Sequence, residues 1–294
     1  MMRSASREAL IHYSFAAAAL FAVGILAGIF LLLLTEGFPV FRHVSVSQFF
    51  SWNWNPNAYG QPEYGILAQM LGTIMVTAGA LVFSIPIGIG AAAYLSEIAA
   101  PRTREVIKPL VELLAGVPSV VIGFLGIVVT GPWLARSTGA SNGLNALNGS
   151  LLLGLMSLPT IVTLTEDALR AVPAEFKAAS LALGANRLQT LVRVTIPSAA
   201  TGVIAACMLG MGRAVGETMT VLMATGNALA PPSGFLDSVR TMTATVAIEL
   251  GEVPFGTAHY HALFVIGFVL FVFTFVVNSV SDLVLLRFQR KMQG

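Results

Sequence analysis

The sequence predicts an all-α integral membrane protein with six transmembrane helices. Three observations carry that reading. Its 294 residues include only 16 Lys and Arg with 14 Asp and Glu, or 10% charged, where soluble domains run near a quarter. Hydrophobic residues make up 56% and the mean hydropathy is +0.82. Apolar stretches of about 20 residues or more, enough to cross the hydrocarbon core, recur along the chain. The single cysteine, Cys207, excludes a disulfide scaffold. A net charge of +2 gives no footprint for nucleic acid.

The spans follow from the spacing of charges. Residues 9–35 carry none and hold the first, about Ile11 to Leu34. Its apolar region is longer than a secretory h-region, and no clear cleavage site follows, so it reads as a retained helix. Residues 64–96 are also uncharged and hold the second, about Ile66 to Leu95. The third runs from about Leu110 to Leu134, with Glu112 at its start. The fourth covers about Leu147 to Leu164, after a polar approach rich in Gly and Asn. The fifth covers about Ile196 to Asn227 and contains two charges. The sixth covers about Ala262 to Val280. Pro86, Pro118 and Pro159 lie within spans two to four, where neighbouring helices or water satisfy the freed carbonyls.

Lys and Arg set the orientation. With the N-terminus in the cytoplasm, twelve fall inside: Arg3, Arg7, Arg102, Arg104, Lys108, Arg170, Lys177, Arg187, Arg193, Arg287, Arg290 and Lys291. Arg42, Arg136 and Arg240 fall outside, and Arg213 lies in a span. Both termini are therefore expected in the cytoplasm. The first outer loop, about 36–64, gathers Phe49, Phe50, Trp52, Trp54 and Tyr59. They read as an aromatic belt at the headgroups or as a docking surface for an outside partner.

No nucleotide-binding P-loop occurs, since none of Lys108, Lys177 and Lys291 follows a glycine. No zincin or serine-hydrolase motif and no Cys/His metal spacing appears. The four histidines lie at span ends or in outer loops. The chain reads as a non-enzyme with no cofactor of its own.

Chemistry concentrates in the fifth span. Projected at about 100° per residue, Gly202, Ala206, Gly210, Arg213, Gly216, Glu217, Thr220, Ala224 and Asn227 form one stripe. Ile204, Met208, Met211, Val215, Met219 and Leu222 lie opposite. The small side admits another backbone or leaves room for a solute. A charge at mid-bilayer costs roughly 2.5–3.5 kcal/mol, so Arg213 and Glu217 need a reason to be there. One is an internal ion pair that locks the bundle, because residues four apart share a helix face. The other is an anion pathway, in which the guanidinium fork suits phosphate or carboxylate. Glu217 then accepts an O–H from a protonated oxyanion, which hydrogen phosphate offers near neutral pH and sulfate does not. Glu112 and Ser119 flank Gly116 and Pro118, which can break the helix there. Glu112 reads as a membrane-surface acid or a second pathway residue.

The loop from about Thr165 to Val194 reads as two short helices. Pro173 is expected at a first helical position, and Phe176, Ala179, Ser180 and Leu183 on one face. Gly184 ends the turn, and a second helix follows Asn186. The loop suits a lipid surface or a knob for a partner.

Lys177-Ala178-Ala179, then Gly184, and nine residues on Val194-Thr195-Ile196-Pro197, resemble the Glu-Ala-Ala…Gly…Pro loop of bacterial ABC importer permeases. Lys177 stands for the usual glutamate and Ile196 for leucine. Gly212-Arg213-Ala214-Val215-Gly216-Glu217-Thr218-Met219, ending at Gly226-Asn227, resembles the phosphate importer permeases. So do the Glu112 to Val121 stretch, Tyr94-Leu95-Ser96-Glu97 and Asp167 to Pro173. The Glu-Thr-Met form and the Trp54 to Gly60 loop resemble PstC subunits more than PstA subunits. The similarity covers about residues 50–285.

The resemblance implies a type I importer fold in a bacterial inner membrane. Residues 1–65 would be an N-terminal helix and loop, and 66–290 the permease domain with a coupling loop at 165–195. It implies a PstA-like sister subunit, two PstB-like ATPase subunits that hold the ATP and Mg²⁺, and a periplasmic PstS-like phosphate-binding protein. It places Glu175, Lys177, Ala178, Ala179, Gly184 and Pro197 in the ATPase coupling loop. Arg213 and Glu217 match the motif associated with phosphate passage; Thr220, Glu112 and Ser119 join them as pathway candidates. The rivals are a permease for sulfate or molybdate, a proton-coupled secondary transporter using Glu217 as relay, and a scaffold in which Arg213 and Glu217 only pair.

Overall fold

The computed structural model describes residues 2–58 and 60–293. Tyr59 lies outside them, as do the side chains of residues 2–10, 284 and 288–293. These include Arg3, Arg7, Arg290 and Lys291 of the charge count. Five helical stretches are long and apolar enough to span a membrane, or six if a pair bent by 72° counts as one.

The first helix, α1 (Met2–Gly37), runs on into a 3₁₀ turn at Phe38–Arg42. Its residues 11–29 are exposed, and among the described residues it meets the rest of the chain over its C-terminal end. There Phe30 packs on Phe268 and Phe271. The outer loop that follows folds into a cap. It holds α2 (Val46–Phe49) and a two-residue hairpin, β1 (Trp54–Asn55) and β2 (Glu63–Tyr64), paired antiparallel with Trp54 opposite Tyr64. Phe49, Trp54 and Tyr64 are buried against Ile66, Met242, Leu263 and Ile266. The aromatics therefore split: Phe49 and Trp54 are core, while Phe50 and Trp52 stay half-exposed. Neither a lipid belt nor a docking face describes the buried pair.

The centre of the bundle is α3 (Leu67–Ala93) packed along α7 (Ala146–Arg170). Small residues let the backbones approach: a Cβ on Gly79 would lie 2.4 Å from Ser150 Oγ, and one on Gly88 2.6 Å from Ile161 Cγ2. The expected second span matches α3 and the π turn after it, Tyr94–Ile98. The fourth span is longer than its apolar stretch, because Glu166 and Arg170 extend α7 into charged sequence. Residues 165–170 are thus helix rather than loop.

The third span is broken where Gly116 and Pro118 fall. The amphipathic α4 (Pro101–Ala115) ends at Gly116, and α5 (Ser119–Leu125) starts after Pro118. A π turn at Gly126–Thr130 then leads into α6 (Gly131–Thr138). Leu110 to Ala115 belong to α4, so the continuous apolar span is Ser119–Thr138. The loop between α7 and the fifth span carries α8 (Ala174–Ala182) and α9 (Arg187–Thr190), with Pro173 as the N-cap of α8 rather than its first residue. A π turn (Leu191–Thr195) and α10 (Ile196–Ser198) lead to α11 (Ala200–Val215).

The fifth span also breaks. α11 stops at Gly216 and α12 (Met219–Ala224) begins past Thr218. Gly226 (φ 81°) and Asn227 (φ 56°) then turn the chain out, a pair of left-handed residues that glycine and asparagine tolerate best. α13 (Met242–Glu249) lies in the last outer loop, and α14 (Ala258–Gln293) closes the fold.

That outer loop carries a pH-sensitive clasp. The Asp237 carboxylate accepts from Ser233 N (2.7 Å), Ser233 Oγ (2.6 Å) and Gly234 N (2.9 Å). These bonds hold its pKa below the ordinary 3.8. The same turn receives Ala146 N and Leu147 N at the start of α7. A depressed carboxyl stabilises above its ordinary pKa, and that contribution fades as pH falls through the lowered value. Asp237→Asn is therefore expected to speed amide exchange in residues 233–237 at pH 7. The difference from wild type should shrink as the buffer is taken well below pH 3.8.

Candidate functional site: the mid-bundle helix breaks

The two breaks meet halfway along α7. Thr220, fully buried at the start of α12, donates to Ser119 O at 3.1 Å and lies 3.0 Å from Met156 Sδ. Glu217 accepts from Thr220 N at 3.3 Å, and its own carbonyl accepts from Thr243 Oγ1 at 3.0 Å. Gly123 of α5 brings the chains close, since a Cβ there would stand 3.2 Å from Met219 O. Ser119, Glu217 and Thr220 thus form one polar knot at the depth of Met156, where α5 and α12 begin.

Asn148, fully buried, secures the other end of α12. Its Nδ2 donates to Ala224 O (3.2 Å) and Gly126 O (3.0 Å), and its Oδ1 accepts from Thr130 Oγ1. One side chain on α7 therefore satisfies carbonyls freed in both broken spans, which a bilayer interior requires. Sequence reasoning passed over it as part of a polar approach. An Asn one turn inside an apolar helix is the signal that marks it.

Arg213 stands apart. The α11 backbone climbs α7, with Gly202 against Ala168 and Gly210 against Ile161. Arg213, three residues on, comes level with the middle of α7. The small stripe therefore serves close helix packing, and the space it spares is filled by α7. Arg213 lies off that seam with its side chain exposed. It makes no ion pair among the described residues. Because the helix ends at Val215, Glu217 is not one turn above Arg213 on a shared face. Of the two readings, the internal Arg213–Glu217 ion pair is not formed among the described residues, and the 100° projection fails beyond Gly216. Glu112, on α4, is exposed and is not bonded to the knot.

In the loop between α7 and α11, Gly184 has φ 86°, and Asn186 and Gln189 form a capping box that starts α9. Ser180 and Thr190 hydroxyls join α8 to α9 at 3.0 Å. Phe176, Ala179, Leu183 and Arg193 line a groove of about 620 Å³. Leu183 at the tip is 90% exposed, which a chain working alone would not favour. Glu175, Ala178, Ala179 and Pro197 are exposed as well, while Lys177 turns inward to Glu97. Four residues separate Ala179 from Gly184. Keeping the family spacing of three moves the Glu-Ala-Ala register to Ala178-Ala179-Ser180, one residue beyond the alignment on Lys177.

Two further charge clusters were not read from the sequence. Glu166, buried near the C-terminal end of α7, binds Arg104 (2.5 Å) and Lys108 (3.2 Å) of α4, with Arg170 at 3.7 Å. At the opposite end of the bundle, Glu249 joins Arg240 (2.7 Å), His259 (2.8 Å) and Trp54 Nε1 (3.1 Å), and Arg240 Nε donates to Asn227 O. Each unites residues from distant parts of the chain. Among the described residues, no group of three or more acidic, His or Cys side chains is placed to hold a metal.

The chain that carries these broken spans and the helical knob at α8 and α9 matches a known family. Residues 84–294 match the binding-protein-dependent transport system inner membrane component. The chain belongs to that family. It is therefore a multi-pass inner-membrane permease of an ABC importer, a class that works with a separate ATPase and a binding protein. Over 77% of its length it is 36% identical to a probable ABC transporter permease protein, YqgH, of Bacillus subtilis, covering 73% of that protein. Over 97% it is 30% identical to the phosphate transport system permease protein PstC of Mesorhizobium japonicum, covering 92% of it. In fold it resembles a chain of a bacterial alginate ABC transporter, with a TM-score of 0.65 at 12% identity over 96% of this chain and 95% of that one.

Proposed function

We propose that this chain is the PstC-type permease subunit of an ATP-driven importer of inorganic phosphate. The observation that carries the reading is Arg213, a guanidinium at mid-depth, exposed on the chain and without a carboxylate partner among the described residues. In lipid that arrangement is costly. Facing an aqueous route shared with a sister subunit, it becomes a bidentate donor for an oxyanion. Glu217 stands four residues further on, beside Ser119 and Thr220, with lone pairs left to accept the proton of hydrogen phosphate. The similarity to PstC supports the same substrate.

A PstA-like subunit completes the pathway. Of two PstB-like subunits that hold the ATP and Mg²⁺, one docks on the groove between α8 and α9 and the other on the sister subunit. A PstS-like protein delivers phosphate to the outer cap. The excess of Lys and Arg in the α4, α8 and α9 segments puts both termini in the cytoplasm. Alternation between outward- and inward-open states moves the knot from one side to the other.

The test is uptake of labelled phosphate into proteoliposomes holding the four-component complex. Uptake is expected only with both binding protein and internal ATP, to be blocked by vanadate and to be outcompeted by phosphate but not sulfate or molybdate. Sulfate competing equally overturns the substrate. Uptake driven by a proton gradient without ATP overturns the class.

A further inference from the structure

We propose that the Lys177–Glu97 ion pair is the strut through which movement of the cytoplasmic loop reaches α3, so that Lys177 and Glu97 are positioning residues for the transport step. The inference rests on the permease reading and adds to it a route for the force.

Lys177 Nζ lies 2.5 Å from Glu97 Oε1, with the two side chains 23% and 21% exposed. The residues are eighty apart in sequence. The helix α8 has no buried residue of its own. Besides the chain at either end and its packing against the Leu191–Thr195 turn, the Ser180–Thr190 contact and this ion pair tie it to the bundle. Phe176 and Leu183 are free on its outer side, where a partner subunit would press.

Glu97 is well placed to receive that force. It sits in the π turn directly after α3, a wider turn that such helices often place at working positions. Ala99 N returns to Tyr94 O at 2.8 Å and closes the turn. Leu95 within it is buried with Leu169 and Leu191. A pull on Glu97 therefore acts on a segment locked into the lower core. From there α3 is packed against α7 at Gly88 and Gly79, and α7 carries Met156 and Asn148 at the knot. An ion pair this accessible adds little stability, so its use here lies in holding α8 against Glu97. Arg187 lines the same crevice, of about 220 Å³, and is the other charge facing the pair. It keeps Glu97 attracted to this loop as Lys177 moves.

The experiment uses the assembled complex in liposomes, with phosphate uptake, ATP hydrolysis under binding-protein control, and co-purification of the ATPase read in parallel. Lys177→Glu and Glu97→Lys are each expected to cut uptake and stimulated hydrolysis about tenfold, within the usual range of coupling between sites. The ATPase should still co-purify in full. The double exchange should return both activities to within about threefold of wild type, which a merely unfolded loop would not do. Normal coupling in the single variants overturns the strut, as does an exchange no better than either single change. Loss of ATPase co-purification in the singles also overturns it, making the pair an assembly contact. A wild-type complex that hydrolyses ATP under binding-protein control yet carries no phosphate sinks the substrate reading alone and leaves this comparison readable.

Discussion

Arg213→Lys is expected to lower phosphate uptake by about tenfold to a hundredfold while leaving the complex assembled. The estimate comes from the bonds at stake. A charge-assisted hydrogen bond is worth about 1.5–3 kcal/mol, and a lysine keeps the charge but loses the planar fork that grips two oxygens at once. Arg213 is exposed and holds no ion-pair partner among the described residues, so the change should not disturb the α11–α7 seam, which rests on Gly202, Ala206 and Gly210. Membrane level and co-purification with the other subunits should therefore stay near wild type. Glu217→Gln tests the other half. Its carboxylate accepts from Thr220 N, a bond the amide oxygen can keep, so α12 should hold. What changes is the group offered to the solute, because an amide can donate to an oxyanion that carries no proton. The preference for phosphate over sulfate should fall by about tenfold, roughly one net hydrogen bond. Wild-type uptake and selectivity in both variants would show that neither side chain meets the solute.

The sequence made the architecture legible because hydropathy and charge act over whole helices. The second span, the breaks at Gly116 and Pro118, the bend at Gly184 and the start of α9 at Asn186 all follow from residues whose preference is local. Gly126 and Gly131, which crowd Leu152 and the Gly126 carbonyl, carry no such local mark. What periodicity could not show is where a helix stops for a tertiary reason. Arg213 and Glu217 look like a helical pair, yet Gly216 ends α11 between them because α12 is held elsewhere, by Ser119, Thr243 and Asn148. The outer aromatics misled for a related cause. Trp54 looks like a headgroup residue until Glu249 and His259, some two hundred residues away, close over it. Contacts at that separation leave no trace in a window of twenty residues.

Glu166 shows the same limit and supports the second large effect. It is fully buried, and it lies between cations from two helices, with Arg104 Nε at 2.9 Å and Nη2 at 2.5 Å, Lys108 at 3.2 Å and Arg170 at 3.7 Å. An acidic residue inside such a seam would be poorly tolerated alone, and here it binds α4 to α7 below the helix break. Removing one member of a buried pair typically costs about 3–5 kcal/mol because the rest is left uncompensated. Its partners, however, are 23%, 28% and 48% exposed, so water recovers part of that loss. Glu166→Ala is accordingly expected to cost about 2–3 kcal/mol and to free α4 first, since Arg104 and Lys108 lose their shared acceptor. Protease cleavage within residues 101–115 should rise before global unfolding, and the unfolding midpoint in detergent should fall by several degrees, about 2–4 °C per kcal/mol for a chain of this size. Glu166→Gln keeps the volume and one acceptor and should fall between. Because α4 ends directly below Ser119, a loosened α4 should also raise ATP hydrolysis without matching uptake. Unchanged cleavage and midpoint in Glu166→Ala would mean that apolar packing of Ile107 and Val111 against the lower core holds α4 without the carboxylate.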